Sequence, residues 1–237
     1  MAGHTAKVSI YDRGFLYGDG LFETMKAVDG TVEHLDDHLA RLAASARALA
    51  IPVPDTDWQA VIGRLLARNK RSHGVARVKI ILTRGVMPGL GLACNKPTLV
   101  ITAVPQPARP APQRIGIYPE RRLEPVARHK SLNYLFNLLA HDWAVRQGLD
   151  EAVIIGDRGQ ILECSTANLF VIRGKTVLVP KNEGYLEGIA GRYFLARQQT
   201  AGRTVRMRRI YPRDLRPADE IWITNSMLGA CRVRLVP

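Results

Sequence analysis

The chain has 237 residues, 46% of them hydrophobic and 23% charged, a globular composition that excludes a disordered or fibrous class. Its formal net charge is +13, but the 34 Lys and Arg are spread along the whole sequence and aromatic residues make up only 6%, so the charge reads as a solvated basic surface and not as a nucleic-acid interface. Cys94, Cys164 and Cys231 lie far apart without CxxC spacing, no charged-then-apolar leader opens the chain, and no apolar run reaches the roughly 18 to 20 residues of a membrane span; a soluble cytoplasmic protein with neither disulfides nor a metal site is expected.

Leu21 to Val28 reads as a strand, Asp29-Gly30 as a hairpin turn and Thr31 to His34 as its return. A helix over about Leu35 to Leu49 follows, with Asp36 and Asp37 near its positive end and apolar residues at Leu35, Leu39, Leu42 and Leu49. A second spans about Asp57 to Arg71, with Asp55 or Thr56 as its cap. Val75 to Thr83 and Pro97 to Val104 are β-rich runs. Pro105, Pro107, Pro110 and Pro112 then stiffen a segment that can continue neither a helix nor a central strand. This predicts a small N-terminal domain over 1–104, a linker over 105–112 and a C-terminal domain over 113–237.

Beyond the linker, a strand at Arg114 to Tyr118 precedes a helix over about Leu132 to Gln147, stopped by Gly148. Lys130 begins the helix-like run, whose apolar face is Leu135, Leu138 and Leu139. Glu151 to Ile155 with Gln160 to Glu163, and Asn168 to Ile172 with Thr176 to Val179, form two hairpins. A helix from about Ile189 to Gln199, a basic strand over Arg203 to Ile210 with one wet face, and a strand at Glu220 to Thr224 complete the pattern. Hairpins interrupted by a few helices, without regular strand-helix alternation, predict an α+β fold.

Three weak chemical signals stand at element ends. Lys130, preceded by Arg128 and His129, is a candidate amine nucleophile, because burial beside other cations favours the neutral form. Glu163 closes an apolar run, a setting in which an acid is costly unless paired. A phosphate needs converging amides, hydroxyls and an arginine; the glycine-flanked helix start Leu186 to Arg192, the Thr224-Asn225-Ser226 turn and Arg41 offer these parts. Each has a bland alternative: a surface lysine, a strand-end acid in water, a helix cap, a turn or a snorkelling side chain.

Taken together, Tyr11 to Thr24, His38 to Leu42, Lys130 to Leu135, Glu163 to Phe170, Leu186 to Arg192 and Thr224 to Ser226 resemble, in order and over nearly the whole chain, the signatures of the class IV, fold-type IV pyridoxal phosphate enzymes. The resemblance implies a small N-terminal α/β sandwich and a larger C-terminal β-rich domain, a homodimer, and pyridoxal 5'-phosphate as cofactor. By motif, Lys130 would be the Schiff-base and proton-shuttling lysine, and Glu163 would hold the pyridine nitrogen. Arg41, Ser226 and the amides of Ile189 and Ala190 would hold the phosphate, with Asn225 at its rim and Tyr134 beside the phenolic oxygen. Tyr17, Phe22, Arg77 and Arg84 are candidates for the substrate. The lysine–aldehyde linkage places such an enzyme in amine chemistry.

Within that family, Thr224-Asn225-Ser226-Met227-Leu228 and the Glu163-Cys164 pair are similar to the version found in 4-amino-4-deoxychorismate lyase, which makes 4-aminobenzoate and pyruvate for folate synthesis. The alternative is an aminotransferase acting on branched-chain or D-amino acids, with Arg77 or Arg84 holding the α-carboxylate. Strand alternation sets Arg77 and Lys79 on one face and Arg84 on the other. A non-catalytic basic binding module is a further alternative.

Overall fold

Alternating apolar residues build the first sheet of the chain, seen here in a computed structural model that describes residues 5–87, 89–93, 96–108, 110–122, 128–181 and 185–236. Cys94, Arg109 of the proline-rich segment and Pro237 lie outside the described residues. The chain forms two compact units, 1–107 with 129–133, and 108–128 with 134–237.

The first unit contains α1 (Arg13–Tyr17), β1 (Gly20–Val28), β2 (Thr31–Val32), α2 (Leu35–Ala48), α3 (Trp58–Arg68), β3 (Val75–Thr83) and β4 (Thr98–Pro105). Its strands run antiparallel in the order β2-β1-β3-β4. Leu21, Met25 and Ala27 of β1 and Ala76, Val78, Ile80 and Leu82 of β3 share one face, which buries itself against Leu42 and Ala46 of α2 and Ile62 and Leu66 of α3. The β1–β2 turn places both Asp29 (φ 47°) and Gly30 (φ 81°) in the left-handed region, the geometry whose twist matches a two-residue hairpin. The cap of α3 is corrected to Asp57, whose carboxylate accepts from the Ala60 amide at 3.0 Å. Helix α1, capped by Asp12, was not foreseen, since five residues carry no readable period.

The second unit holds β5 (Arg114–Arg122), α4 (Leu135–Arg146), β6 (Glu151–Gly156), β7 (Ile161–Cys164), β8 (Asn168–Arg173), β9 (Thr176–Pro180), α5 (Ile189–Thr200), β10 (Thr204–Arg208), β11 (Glu220–Asn225) and β12 (Gly229–Leu235). These strands form one mixed sheet in the order β10-β9-β8-β11-β12-β5-β6-β7. One face encloses Ile115, Val153, Leu169, Val171, Ile221 and Ile223. On the other, α4 covers Tyr118, Ala152 and Ile154, and Phe194 of α5 packs on Phe170, Ile172 and Val179. With strands buried on both faces and helices outside, the architecture is the α+β class expected. Strand β12, pairing antiparallel with β11 and parallel with β5, is an addition: its Arg232-Val233-Arg234 alternation is too short to signal a strand on its own.

Two expectations about the Lys130 region are corrected. The helix begins at Leu135 and not at Lys130 or Leu132. Residues 129–133 are extended beside β1: Ser131 bridges to Leu21, the Phe22 amide donates to the Lys130 carbonyl at 2.8 Å, and the Leu132 amide donates to the Gly20 carbonyl at 2.9 Å. Backbone groups committed to a strand edge cannot also serve a helix. The expected apolar face of α4 is also turned outward, with Leu135, Leu138 and Leu139 exposed at 68%, 57% and 51%. The sheet takes Ala140 and Ala144 instead, because small side chains let the helix axis approach closely while Phe136 and Trp143 fill the flanks.

Candidate active site

The expected site residues divide between the units: Tyr17, Phe22, Arg41, Arg77, Arg84 and Lys130 in the first, Tyr134, Glu163, Ile189, Ala190, Asn225 and Ser226 in the second. In the first unit the extended segment beside β1 brings the Lys130 ammonium to 4.6 Å from the centroid of the Phe22 ring. Lys79 of β3, which sequence reasoning placed on the Arg77 face without assigning it a role, brings a second ammonium to 4.7 Å from the same ring. Phe22 alternates with Leu21 and Glu23, so this aromatic and cationic group occupies the sheet face that α2 and α3 leave uncovered. Burial first, and the Arg77 charge second, pull the Lys79 amine below the ordinary lysine range.

On the covered face, Glu23 is buried and accepts from Arg41 Nε at 2.8 Å and Arg41 Nη2 at 2.6 Å, with His38 Nδ1 at 2.7 Å. Burial alone would raise this carboxyl; the Arg41 and His38 hydrogen bonds outweigh it and hold Glu23 below the usual carboxylate range. Arg41 is therefore oriented by a buried acid on the face opposite Phe22. Arg84, one of the substrate candidates, is engaged within the first unit. It is 3% exposed, pairs with Asp19 at 2.8 Å, and donates to the carbonyls of Leu49, Ala50 and Leu92. Arg77 is exposed on β3, and Tyr17 is exposed on α1 with the Arg13 guanidinium 5.4 Å from its ring.

In the second unit Glu163 lies on β7, buried, with Arg122 Nη2 at 2.9 Å. Sequence reasoning missed Arg122 because it ended the strand at Tyr118; a register shift between Ile117 and Arg121 breaks the period of two that would have placed the side chain. Tyr134, the residue preceding α4, donates its phenol to the Ser165 carbonyl at 2.9 Å. Burial first, then the charges of Glu163 and Glu151, push that phenol up and keep it protonated. The same order of causes, burial and then Glu163 and Glu187, raises Tyr185.

Helix α5 begins at Gly188 with no side-chain cap, which leaves its first-turn amides, those of Ile189 and Ala190 among them, directed outward at the positive helix end. A Cβ on Gly188 would run into Asn168 Oδ1, and one on Gly191 would stand 3.4 Å from Thr224 Oγ1. At Gly188 only glycine allows this close approach of backbone to side chain. Thr224 is buried, and its Oγ1 has no hydrogen-bond partner among the described residues. Asn225 uses its side chain to hold its own turn, accepting from the amides of Met227 and Leu228 and donating to the Thr166 carbonyl at 3.2 Å. Ser226 follows in that turn, half-buried.

Comparison with known proteins shows the family and the fold. The amino-transferase class IV family profile matches residues 20–236. A Methanocaldococcus jannaschii protein provisionally named a branched-chain-amino-acid aminotransferase is 34% identical over 235 residues, covering 93% of this chain and 80% of that protein. The aminodeoxychorismate lyase of Vibrio harveyi is 30% identical over 244 residues, covering 95% and 86%. The crystal structure of 4-amino-4-deoxychorismate lyase from Pseudomonas aeruginosa superposes with a TM-score of 0.85 at 31% identity, covering 98% of this chain and 88% of that one.

Proposed function

The chain belongs to the class IV aminotransferase family, and on that premise we propose that it is a pyridoxal phosphate enzyme with Lys130 as covalent anchor and 4-amino-4-deoxychorismate lyase as its activity. The uncapped α5 start and the partnerless Thr224 hydroxyl suit a phosphate, and a buried carboxylate beside a guanidinium suits a protonated ring nitrogen; the residues present therefore fit this cofactor. When bound, pyridoxal phosphate supplies an electron sink for cleavage at the carbon bearing the substrate amine.

The remaining work falls to the protein. Glu163, anchored by Arg122, holds the ring-nitrogen proton. Tyr134, kept protonated and tied through its O–H to the Ser165 carbonyl, would line the cofactor near its phenolic oxygen. Arg41, oriented by Glu23, and Ser226 join the amides of Ile189 and Ala190 at the phosphate, with Asn225 shaping the rim. With the cofactor bound, the Lys130 amine would be the base that takes the ring C–H proton whose loss makes the product aromatic, and the ammonium so formed would return a proton to the departing three-carbon fragment, released as pyruvate.

The observation that carries the choice of lyase is the Lys79 ammonium, 4.7 Å from the centroid of the Phe22 ring that also adjoins the anchor Lys130. An aromatic wall beside a cation that the anchor role does not consume suits a planar, carboxylate-bearing ring better than a small aliphatic amino acid. The second reading, amino transfer between α-amino and oxo acids with Arg77 at the carboxylate, is favoured by the 34% identity to the M. jannaschii protein. Either activity fits a cytoplasmic homodimer, for which the outward Leu135, Leu138 and Leu139 face of α4 supplies an apolar surface to cover; sedimentation at the mass of a single chain would remove that part of the proposal.

With pyridoxal phosphate added, the protein should absorb near ~410 to 420 nm as its lysine-bound form. Lys130→Ala should abolish the band and lower turnover by about a thousandfold or more; an unchanged band would mean that another residue is the anchor. Formation of 4-aminobenzoate from aminodeoxychorismate supports the lyase, whereas amino transfer from L-leucine or D-alanine without aromatic product rejects it.

A further inference from the structure

Glu151 opens β6 and is 2% exposed. Isolated in such a place an ionised carboxylate is expensive, so the donors around it identify what it holds. Its Oε1 accepts from the Ala152 amide at 2.9 Å, the Ser165 amide at 3.1 Å and the Ser165 hydroxyl. Its Oε2 accepts from the Thr166 amide at 3.2 Å and the Thr166 hydroxyl at 2.5 Å. His141 Nδ1 stands 3.9 Å from Oε1. Burial alone would raise this carboxyl; the nearby His141 and the hydrogen bonds from Ser165, Thr166 and Ala152 outweigh it and hold Glu151 below the usual carboxylate range.

Four of those contacts go to two consecutive residues, Ser165 and Thr166, and this turn is the junction of the candidate site residues of the second unit. Glu163 stands on the strand that enters it, and Asn168 beside Gly188 on the strand that leaves it. The Ser165 carbonyl receives the Tyr134 phenol at 2.9 Å and the Asn137 amide group at 2.8 Å, and the Thr166 carbonyl receives Asn225 at 3.2 Å. These links from the turn to the phenol and the phosphate rim thus pass through a backbone whose amides and hydroxyls end on one carboxylate.

We propose that Glu151 is a positioning residue of the active site, fixing the 164–167 turn and, through it, Glu163, Tyr134 and Asn225 for the cofactor. The inference rests on the pyridoxal phosphate reading, because those three residues matter together only if one ligand meets them. Glu151 itself touches neither cofactor nor substrate. A network of hydrogen bonds to a single buried charge is cooperative, so loss of any one member loosens the rest.

The test is a double-mutant cycle of Glu151→Gln and Thr166→Val, followed by spectrophotometric titration of the cofactor-free protein with pyridoxal phosphate and by amide hydrogen exchange before cofactor is added. Each single variant should weaken cofactor binding by about tenfold or more, and the double variant should be no weaker than the worse single one. In Glu151→Gln the Ser165 and Thr166 amides should exchange faster, while those of β1 and β3 keep their wild-type rates. Wild-type affinity and exchange in Glu151→Gln, or losses that add in the double variant, overturn the proposal. Should Glu151→Gln not fold, Thr166→Val alone decides: wild-type affinity and exchange there overturn it. The outcomes separate the two readings, since a visible band surviving in Lys130→Ala sinks the cofactor assignment, whereas its loss there with tight binding in Glu151→Gln sinks only the role of Glu151.

Discussion

Glu23 in the first unit and Glu151 in the second are buried by different means. In the first, Glu23 is neutralised by Arg41 and His38, and Asp19 by Arg13 and Arg84. In the second, Glu151 is held mainly by amides and hydroxyls. An ion pair consumes cations that a charge count treats as available: Arg13, Arg41 and Arg84 are all partners of acids, while Lys79 and Lys130 gather at an aromatic ring. The net charge of +13 therefore says little about the site, and the identity of each cation's partner says a good deal.

The strongest way to break this contrast is Glu23→Ala. It leaves a buried His38 and a largely buried Arg41 without their shared acid, a situation that costs about 3 to 5 kcal/mol because the surviving charge is uncompensated. Chemical denaturation should give a loss in that range with an unchanged m-value. A loss under about 1 kcal/mol would mean that Arg41 and His38 turn to water, and that the pair is weakly coupled like an exposed one.

Acid sharpens the comparison next. Glu23 and Glu151 both have folded-state values depressed below the ordinary carboxylate, so the stability they contribute is fully present above the unfolded value near 4.5 and is lost as pH falls through the folded values. Each unit of depression corresponds to about 1.4 kcal/mol. Stability should hold from neutral pH down to about 5 and then fall steeply. Raised salt should bring that fall slightly to higher pH through Glu23, whose partner Arg41 is charged and partly exposed, and change the Glu151 share less, since neutral donors are not screened. Amide exchange in β1 and β6 followed against pH, at low and high salt, would read the two shares separately; equal salt dependence would remove the distinction.

Much of the first unit was legible because its helices and strands obey their periods. Val75–Thr83 falls where alternation sets it, and Asp29-Gly30 makes the turn that pair of residues favours. The motifs at Lys130, Glu163 and Ile189 were legible as residue types, whereas their supports were not. Arg122 hides behind a bulge, Glu151 has partners fourteen and fifteen residues away, and Lys79 looks like any outward lysine on a strand. The α4 error has a related cause. Leu135, Leu138 and Leu139 share one stripe and Ala140 and Ala144 another, and hydrophobicity picks the leucines although close packing on the sheet needs the alanines.

Lys79 gives the smallest effect and the finest discrimination. If it holds a substrate carboxylate, Lys79→Met removes one charged hydrogen bond, so KM should rise by about tenfold while kcat stays within about twofold, the pattern of an interaction made equally in ground and transition states. The wild type carries a second signature. Burial and Arg77 pull the Lys79 amine down, so it loses its proton at lower pH than an ordinary lysine, and KM for an anionic substrate should climb as pH rises toward alkaline values. Lys79→Arg, whose guanidinium stays charged across that range, should flatten the climb and Lys79→Met should remove it. A KM insensitive to both substitutions would assign the carboxylate to Arg77, whose exposed guanidinium on the same face of β3 would be the cation that favours amino transfer.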